Sequence, residues 1–209
     1  METEAQCTCC AEGCSRILGG ESCVKIILKN ESTQEGYVGL TPNFPAKIIP
    51  VTFGKDVKSS SAIIAQGGSI MSQLGDVNVG FDLDCNLSTC CCGGYGCFRQ
   101  RLEKGAPQNT DPAVAFLAAG GTIVVKDLTD GETIIVDGKC ILAQEDTVQI
   151  GITPSGGCGM ICCGGQGCCN TTATGPGKIY LQSMNFWKFK NAVQQTVVEE
   201  REGSNGLNN

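Results

Sequence analysis

The chain has no histidine. That removes the commonest general base at neutral pH and the imidazole ligands of most catalytic metal centres. Any enzyme mechanism would rest on Cys, Asp, Glu or Lys, and the sequence predicts a protein that is not an enzyme. Charge is scarce: Asp, Glu, Lys and Arg make up 17%, and the net charge is -6. The 15 basic residues are scattered, the densest group being Arg99, Arg101 and Lys104. Binding to nucleic acid by counterion release needs a basic surface, so nucleic acid is excluded as an expected partner. No apolar run reaches the roughly 20 residues that a membrane-crossing helix needs. The N-terminal METEAQCTCC has neither a basic stretch followed by an apolar one nor an Arg-rich amphipathic pattern, so no targeting peptide is visible. The expectation is an intracellular protein, cytoplasmic or peripheral to a membrane, whose thiols are mostly reduced.

What abounds is glycine, at 29 residues, and cysteine, at 16. Hydrophobic residues at 41% suffice for a core, and the glycine content points to tight turns between short strands. The segments CCGGYGC (91–97) and CCGGQGC (162–168) nearly repeat each other, 71 positions apart. The same shift carries Ile63 and Ile64 onto Ile134 and Ile135, Gly67 onto Gly138, Ile70 onto Ile141, Gln73 onto Gln144 and Val77 onto Val148, without a gap. A fainter third copy, LGGESC, places Gly19 and Gly20 where the others have Gly93, Gly94 and Gly164, Gly165. We read two full repeats, about 46–116 and 117–190, and a partial first repeat, about 15–45, without its front half. Residues 15–190 form one domain in this reading. Residues 1–14 are a flexible Cys-rich N-terminus, and 191–209 a short helix with a disordered tail.

Within each unit the pattern is β. AKIIPVTF, GTIVVKDL and ETIIVDG are rich in β-branched residues and bounded by Gly, Asp or Pro. VNVGFDL and TVQIGIT alternate apolar and polar residues, as half-buried strands do. TDGE reads as a turn. GYVGLTPNFP, leading into AKIIPVTF, is expected to be part of a strand, and alternation in NFWKFK suggests another. The predicted helix is NAVQQTVVEERE, Asn191 to Glu202. The Gly-rich runs, with Gly19, Gly20, Gly93, Gly94, Gly96, Gly164, Gly165 and Gly167 as turn glycines, are expected to be hairpin tips.

GGES before a strand, GYVGLTPNFPAKIIPV, the Gly-Gly-x-Gly turns and GPGKIYLQS, in that order, resemble one family over about residues 15–190. It is the mitochondrial-biogenesis family of altered inheritance of mitochondria protein 24. The resemblance implies an all-β fold like the tryptophan RNA-binding attenuator protein: a pseudo-threefold repeat of short antiparallel sheets in sandwich units. It implies a largely undefined activity, and a yeast namesake linked to the organisation of the mitochondrial inner membrane. The family's turns usually carry bulky apolar residues where this chain has cysteine.

If a rotation axis relates the repeats, the three Gly/Cys turns share one face. The plainest reading is that cysteine serves there as a small hydrophobe. A second makes Cys90, Cys91, Cys92, Cys97, Phe98, Cys162, Cys163, Cys168 and Cys169 lipid-attachment or contact tips, since neighbouring cysteines beside apolar residues accept acyl chains and two chains anchor stably. A third is a thiolate zinc site drawn from Cys92, Cys97, Cys163 and Cys168, whose spacing is C-x4-C within each tip. The expectation taken forward is a non-catalytic scaffold or membrane-peripheral protein, without a cofactor and homo-oligomeric, with a membrane surface or membrane protein as its further partner. Thiolate zinc binding is the alternative.

Overall fold

The computed structural model describes residues 2–7, 14, 17–18, 22, 24–58, 61–105, 112–156 and 169–195. In chain order the strands are β1 (Glu2–Cys7), β2 (Val24–Lys29), β3 (Lys47–Thr52), β4 (Ile63–Gln66), β5 (Ile70–Leu74) and β6 (Val77–Leu83). A short helix, α1 (Leu87–Cys92), precedes β7 (Phe98–Lys104). Then come β8 (Val114–Ala119), β9 (Ile123–Leu128), β10 (Thr133–Val136), a 3-10 turn at Gly138–Cys140, β11 (Ile141–Glu145), β12 (Gln149–Pro154), β13 (Cys169–Thr174) and β14 (Gly177–Gln182). Residues 186–195 form a helix, α2. The fold is all-β, as the sequence predicts.

The strands make one six-stranded sheet, β6-β7-β4-β11-β14-β9, two three-stranded sheets, β3-β8-β5 and β10-β13-β12, and the separate hairpin β1-β2. Among the described residues every strand pairing is antiparallel. Local chemistry explains the details. Pro50 cannot donate to a ladder, and its strand β3 lies at a sheet edge. Gly131 has φ 74° in the TDGE turn, where the Glu132 N–H donates to the Thr129 carbonyl at 3.0 Å.

The six-stranded sheet separates two cores. Successive residues of a strand face opposite sides, and here they join different clusters. Tyr180 packs with Val51, Leu102, Leu117 and Leu142, beneath β3-β8-β5. Its neighbour Ile179 packs with Leu128, Ile141 and Ala173, beneath β10-β13-β12. Ile63, Leu102, Leu142 and Ile179 are 0% exposed, and each contributes about 1.5–3 kcal/mol by burial. An irregularity in register between Ile141 and Ala143 lets Leu142 and Ala143 share one core.

The repeat in sequence is a repeat in hydrogen-bond register. Asn78↔Glu103 in the β6-β7 pair, moved on by 71, is Gln149↔Thr174 in the β12-β13 pair. Ile63↔Leu102 between β4 and β7 becomes Ile134↔Ala173 between β10 and β13. The irregularity between Ile70 and Ser72 in β5 recurs between Ile141 and Ala143 in β11. Thus β6-β7-β4 corresponds to β12-β13-β10 by the shift of 71, and β3-β8-β5 corresponds to β9-β14-β11 by strand order and the shared irregularity. The six-stranded sheet joins half of one unit to half of the next through β4 and β11, at Gln144↔Ile64. Such pairing relates two units. The N-terminal stretch adds hairpin β1-β2, which joins none of the other sheets.

Three expectations need correction. Residues 36–45 contain no strand; Gly36, Gly39, Pro42 and Pro45 interrupt the run, and Tyr37 is 89% exposed. NFWKFK is helical from residue 186, not extended. Asn185 caps that helix, its side-chain oxygen accepting from the Lys188 N–H at 2.7 Å, so the helix starts earlier than Asn191. Residues 196–202 of the expected helix lie outside the described residues. Finally, the tip between β6 and β7 is no tight turn, because α1 occupies it.

Candidate functional site

The described tip, residues 84–97, is a packed unit. Asp84 organises its start: one carboxylate oxygen accepts from the Asn86 N–H at 3.0 Å and the other from the Thr89 hydroxyl at 2.6 Å. Arg99 lies 3.8 Å from Asp84 and 2.6 Å from Asp82. Its guanidinium carbon sits 5.2 Å from the centre of the Tyr95 ring. Tyr95 is buried, and its hydroxyl donates to the Ile64 carbonyl at 2.8 Å. Burial pushes the phenol above its ordinary pKa, with nearby Arg99 working the other way. The tip thus reaches down to β4, the strand on which the two units meet. On its other side the Gly93 carbonyl accepts from the Thr171 hydroxyl. It also lies so close to Gly138 that a side chain there would strike it.

Of the sequence-predicted tip residues, Cys90 and Cys97 are joined as a disulfide. In that state neither sulfur is a thiolate for zinc or an acceptor for an acyl chain. Cys91 lies within α1, and Cys92 is exposed at its end. Phe98 is half exposed and pairs across the hairpin with exposed Leu83. Cys169 opens β13 and is half-buried. Gly94 and Gly96 have φ of 72° and 95°, and Gly93 is so close to the Thr89 carbonyl that a side chain would collide with it. Gly19, Gly20, Cys162, Cys163, Gly164, Gly165, Gly167 and Cys168 lie outside the described residues. Among the described residues no three His, Cys, Asp or Glu side chains gather as metal ligands.

Several other carboxylates have partners. Asp146 lies 3.4 Å from Arg101, and Glu145 accepts from the Lys178 N–H at 2.7 Å. Asp146 and Arg101 join Asp82, Asp84 and Arg99 in lining a charged cleft of about 180 Å³, where β4 meets β11. One polar cluster is hidden from sequence reasoning because its members are 48 to 51 positions apart. Lys188 on α2 lies 2.7 Å from Asp137 and 3.3 Å from the Cys140 sulfur. Hydrogen bonding to Asp137 raises the Lys188 pKa. Partial burial opposes ionisation of Asp137, but hydrogen bonds from Lys188 and the Lys139 N–H hold its pKa below the usual value. Asn185 adds a bond from its side-chain amide to the Lys139 carbonyl at 2.9 Å. The sequence signal is the N-cap asparagine, which the aromatic alternation masks.

One exposed feature of the fold is apolar. A pocket of about 520 Å³ lies between Leu40, Phe44, Met71, Phe186 and Trp187. Phe44 packs edge-on against Phe186 at 5.6 Å, and Phe186 against Trp187 at 5.6 Å. Leu40, Ile70 and Met71 also line a second groove of about 600 Å³, which runs between β2 and β5. Ile26, Leu28, Leu40, Leu74, Phe186 and Trp187 along this path are all exposed. Together these side chains form an exposed apolar strip.

The profile of a family described as mitochondrial biogenesis AIM24 matches residues 1–184. A search of curated proteins found no match. Among solved structures, the chain is similar to a Streptococcus pyogenes protein from a structural-genomics programme. The two share 22% identity at a TM-score of 0.57, over 86% of this chain and 73% of that one. That likeness concerns the fold. Among the described residues no helix is long and apolar enough to cross a membrane.

Proposed function

The chain belongs to the mitochondrial biogenesis AIM24 family, and on that premise we propose that it is a non-catalytic scaffold that assembles with further copies of itself. The observation that carries the reading is the exposed apolar patch of Trp187, Phe186 and Leu40. Leaving such side chains in water forgoes about 25 cal/mol per Å² that association would recover. Asp82, Asp84, Asp137 and Asp146 are held in ion pairs and turns, which supports a structural role for them. Sedimentation velocity tests the proposal. The parent chain should associate with rising concentration, and the double variant Phe186→Ser, Trp187→Ser should stay monomeric. A parent that stays monomeric throughout, or a variant that associates equally, would defeat it.

A second reading, contact of the Gly/Cys tips with a membrane surface, has its own support. Phe98 and Leu83, and in the same tip region Cys85 and Cys92, are exposed, and acyl chains on such thiols would anchor the hairpin. Membrane fractionation before and after hydroxylamine tests it: bound protein should be released, and protein found in the supernatant from the start would count against it. A zinc site using Cys97 would first require its release from Cys90.

A further inference from the structure

We infer that the groove between β2 and β5 is an acceptor slot for one extended strand of a partner polypeptide, resembling β4 in sequence. The inference rests on the reading of the chain as a binding scaffold and names the chemistry of a partner. Its basis is the chain's own completed sheet. There the order is hairpin β6-β7, then β4, then β11-β14-β9. Each flanking piece has a counterpart elsewhere. The sheet β5-β8-β3 corresponds to β11-β14-β9, down to the register irregularity shared by β5 and β11. Hairpin β1-β2, like β6-β7, encloses a Gly/Cys-rich connection. The two pieces face each other across the groove, with β2 on one wall and β5 on the other. Among the described residues no strand lies between them to correspond to β4.

Both walls are strand edges, since β2 pairs with β1 and β5 with β8 on one side each. They offer rows of backbone donors and acceptors, which an extended peptide satisfies on both of its edges. A lipid chain satisfies neither. The repeat gives the register. The pairs Ala143↔Ala65, Gln144↔Ile64 and Glu145↔Ile63, moved back along β11 to β5, set the incoming strand against Ser72, Gln73 and Leu74. The occupant therefore runs antiparallel to β5. It carries a small residue opposite Ser72 and aliphatic residues opposite Gln73 and Leu74, as the Ile-Ile-Ala order of β4 does. Ile26, Leu28 and Leu74, now exposed, would be covered. A second copy of the chain supplies this less well: its β10 is the repeat mate of β4 but already pairs with β13 on one edge, so it could serve β5 but not β2.

The test uses the full chain and a fluorescein-labelled peptide of residues 61–68 (SAIIAQGG) with flanking lysines. Fluorescence anisotropy should show saturable binding, and hydrogen exchange should slow at residues 24–29 and 70–74. A peptide with proline at the position of Ile64, which lacks the N–H, should bind about tenfold more weakly or worse. Leu74→Lys and Ile26→Lys change exposed positions and should each weaken binding about tenfold. Equal binding of the proline peptide, insensitivity to both variants, or no saturable binding would overturn the inference. So would binding of phosphatidylcholine vesicles in place of the peptide, or displacement of the peptide by chain self-association. Peptide failure in a chain that still self-associates through Phe186 and Trp187 removes the slot and leaves the scaffold reading standing.

Discussion

Replacing Tyr95 with phenylalanine removes one oxygen and little else. The ring stays buried under Arg99, while the bond from the hydroxyl to the Ile64 carbonyl at 2.8 Å is lost. A buried hydrogen bond to a backbone acceptor is worth about 1–2 kcal/mol net, including the penalty on the abandoned partner. For a chain of this size that should lower Tm by about 3–6 °C. Tyr95→Ala also removes the ring from its cluster with Leu128 and Ile141 and should cost about 3–5 kcal/mol. Urea unfolding followed through Trp187, the single tryptophan, measures both. The midpoint should fall with an unchanged slope. Alkaline pH gives an independent check. Burial raises the pKa of the folded phenol, so its contribution is complete below about pH 10, the unfolded value, and is lost as pH rises through the folded value. Stability of the parent should therefore fall above about pH 10 more steeply than that of Tyr95→Phe, by up to about 1.4 kcal/mol per pH unit. A Tyr95→Phe chain within about 0.3 kcal/mol of the parent, with the same alkaline slope, would refute the idea that this residue fastens the tip to β4.

Gly138→Ala should destabilise the fold by about 1–3 kcal/mol, because the new methyl meets the Gly93 carbonyl; a thermal melt matching the parent would show that the tip does not rest there. The Asp137–Lys188 pair sets an acid limit on the docking of α2. Asp137 has a depressed folded pKa, so its contribution is present above about pH 4 and lost as pH falls through the folded value. Trp187 emission should change over that range, and the change should be smaller in Asp137→Asn. Reduction of Cys90–Cys97, which spans a sequence separation of 7, should cost about 2–3 kcal/mol by freeing the unfolded chain. Cys90→Ser should reproduce the loss and be insensitive to dithiothreitol; an unchanged midpoint on reduction would remove the bond from the account.

The strands are legible where burial is one-sided or complete. VNVGFDL coincides with β6 because alternate residues point inward. The apolar runs around Ile49 in β3, Val124 in β9 and Ile135 in β10 mark their strands through dense β-branched residues between turn formers. The shift of 71 residues is legible as well, since paired strands must conserve register when both edges are used. What fails is local pattern without a partner. GYVGLTPNFP has β-forming residues but pairs with no strand in the structure. NFWKFK alternates, yet Asn185 caps a helix there and Phe44 packs on Phe186 and Phe189, one helical turn apart. The apolar strip is illegible for another reason. It is assembled from β2, residues 40–44, β5 and α2, and only the fold sets these side by side.

The mixed parentage of the six-stranded sheet has a last consequence. Tandem copies in most repeat proteins stack as beads, and a bead can be cut away. Here β4 from one copy and β11 from the other are woven into the same fabric. Severing the chain near Gly120 would give two fragments with complementary torn edges, so the duplicated units are inseparable partners and not interchangeable modules.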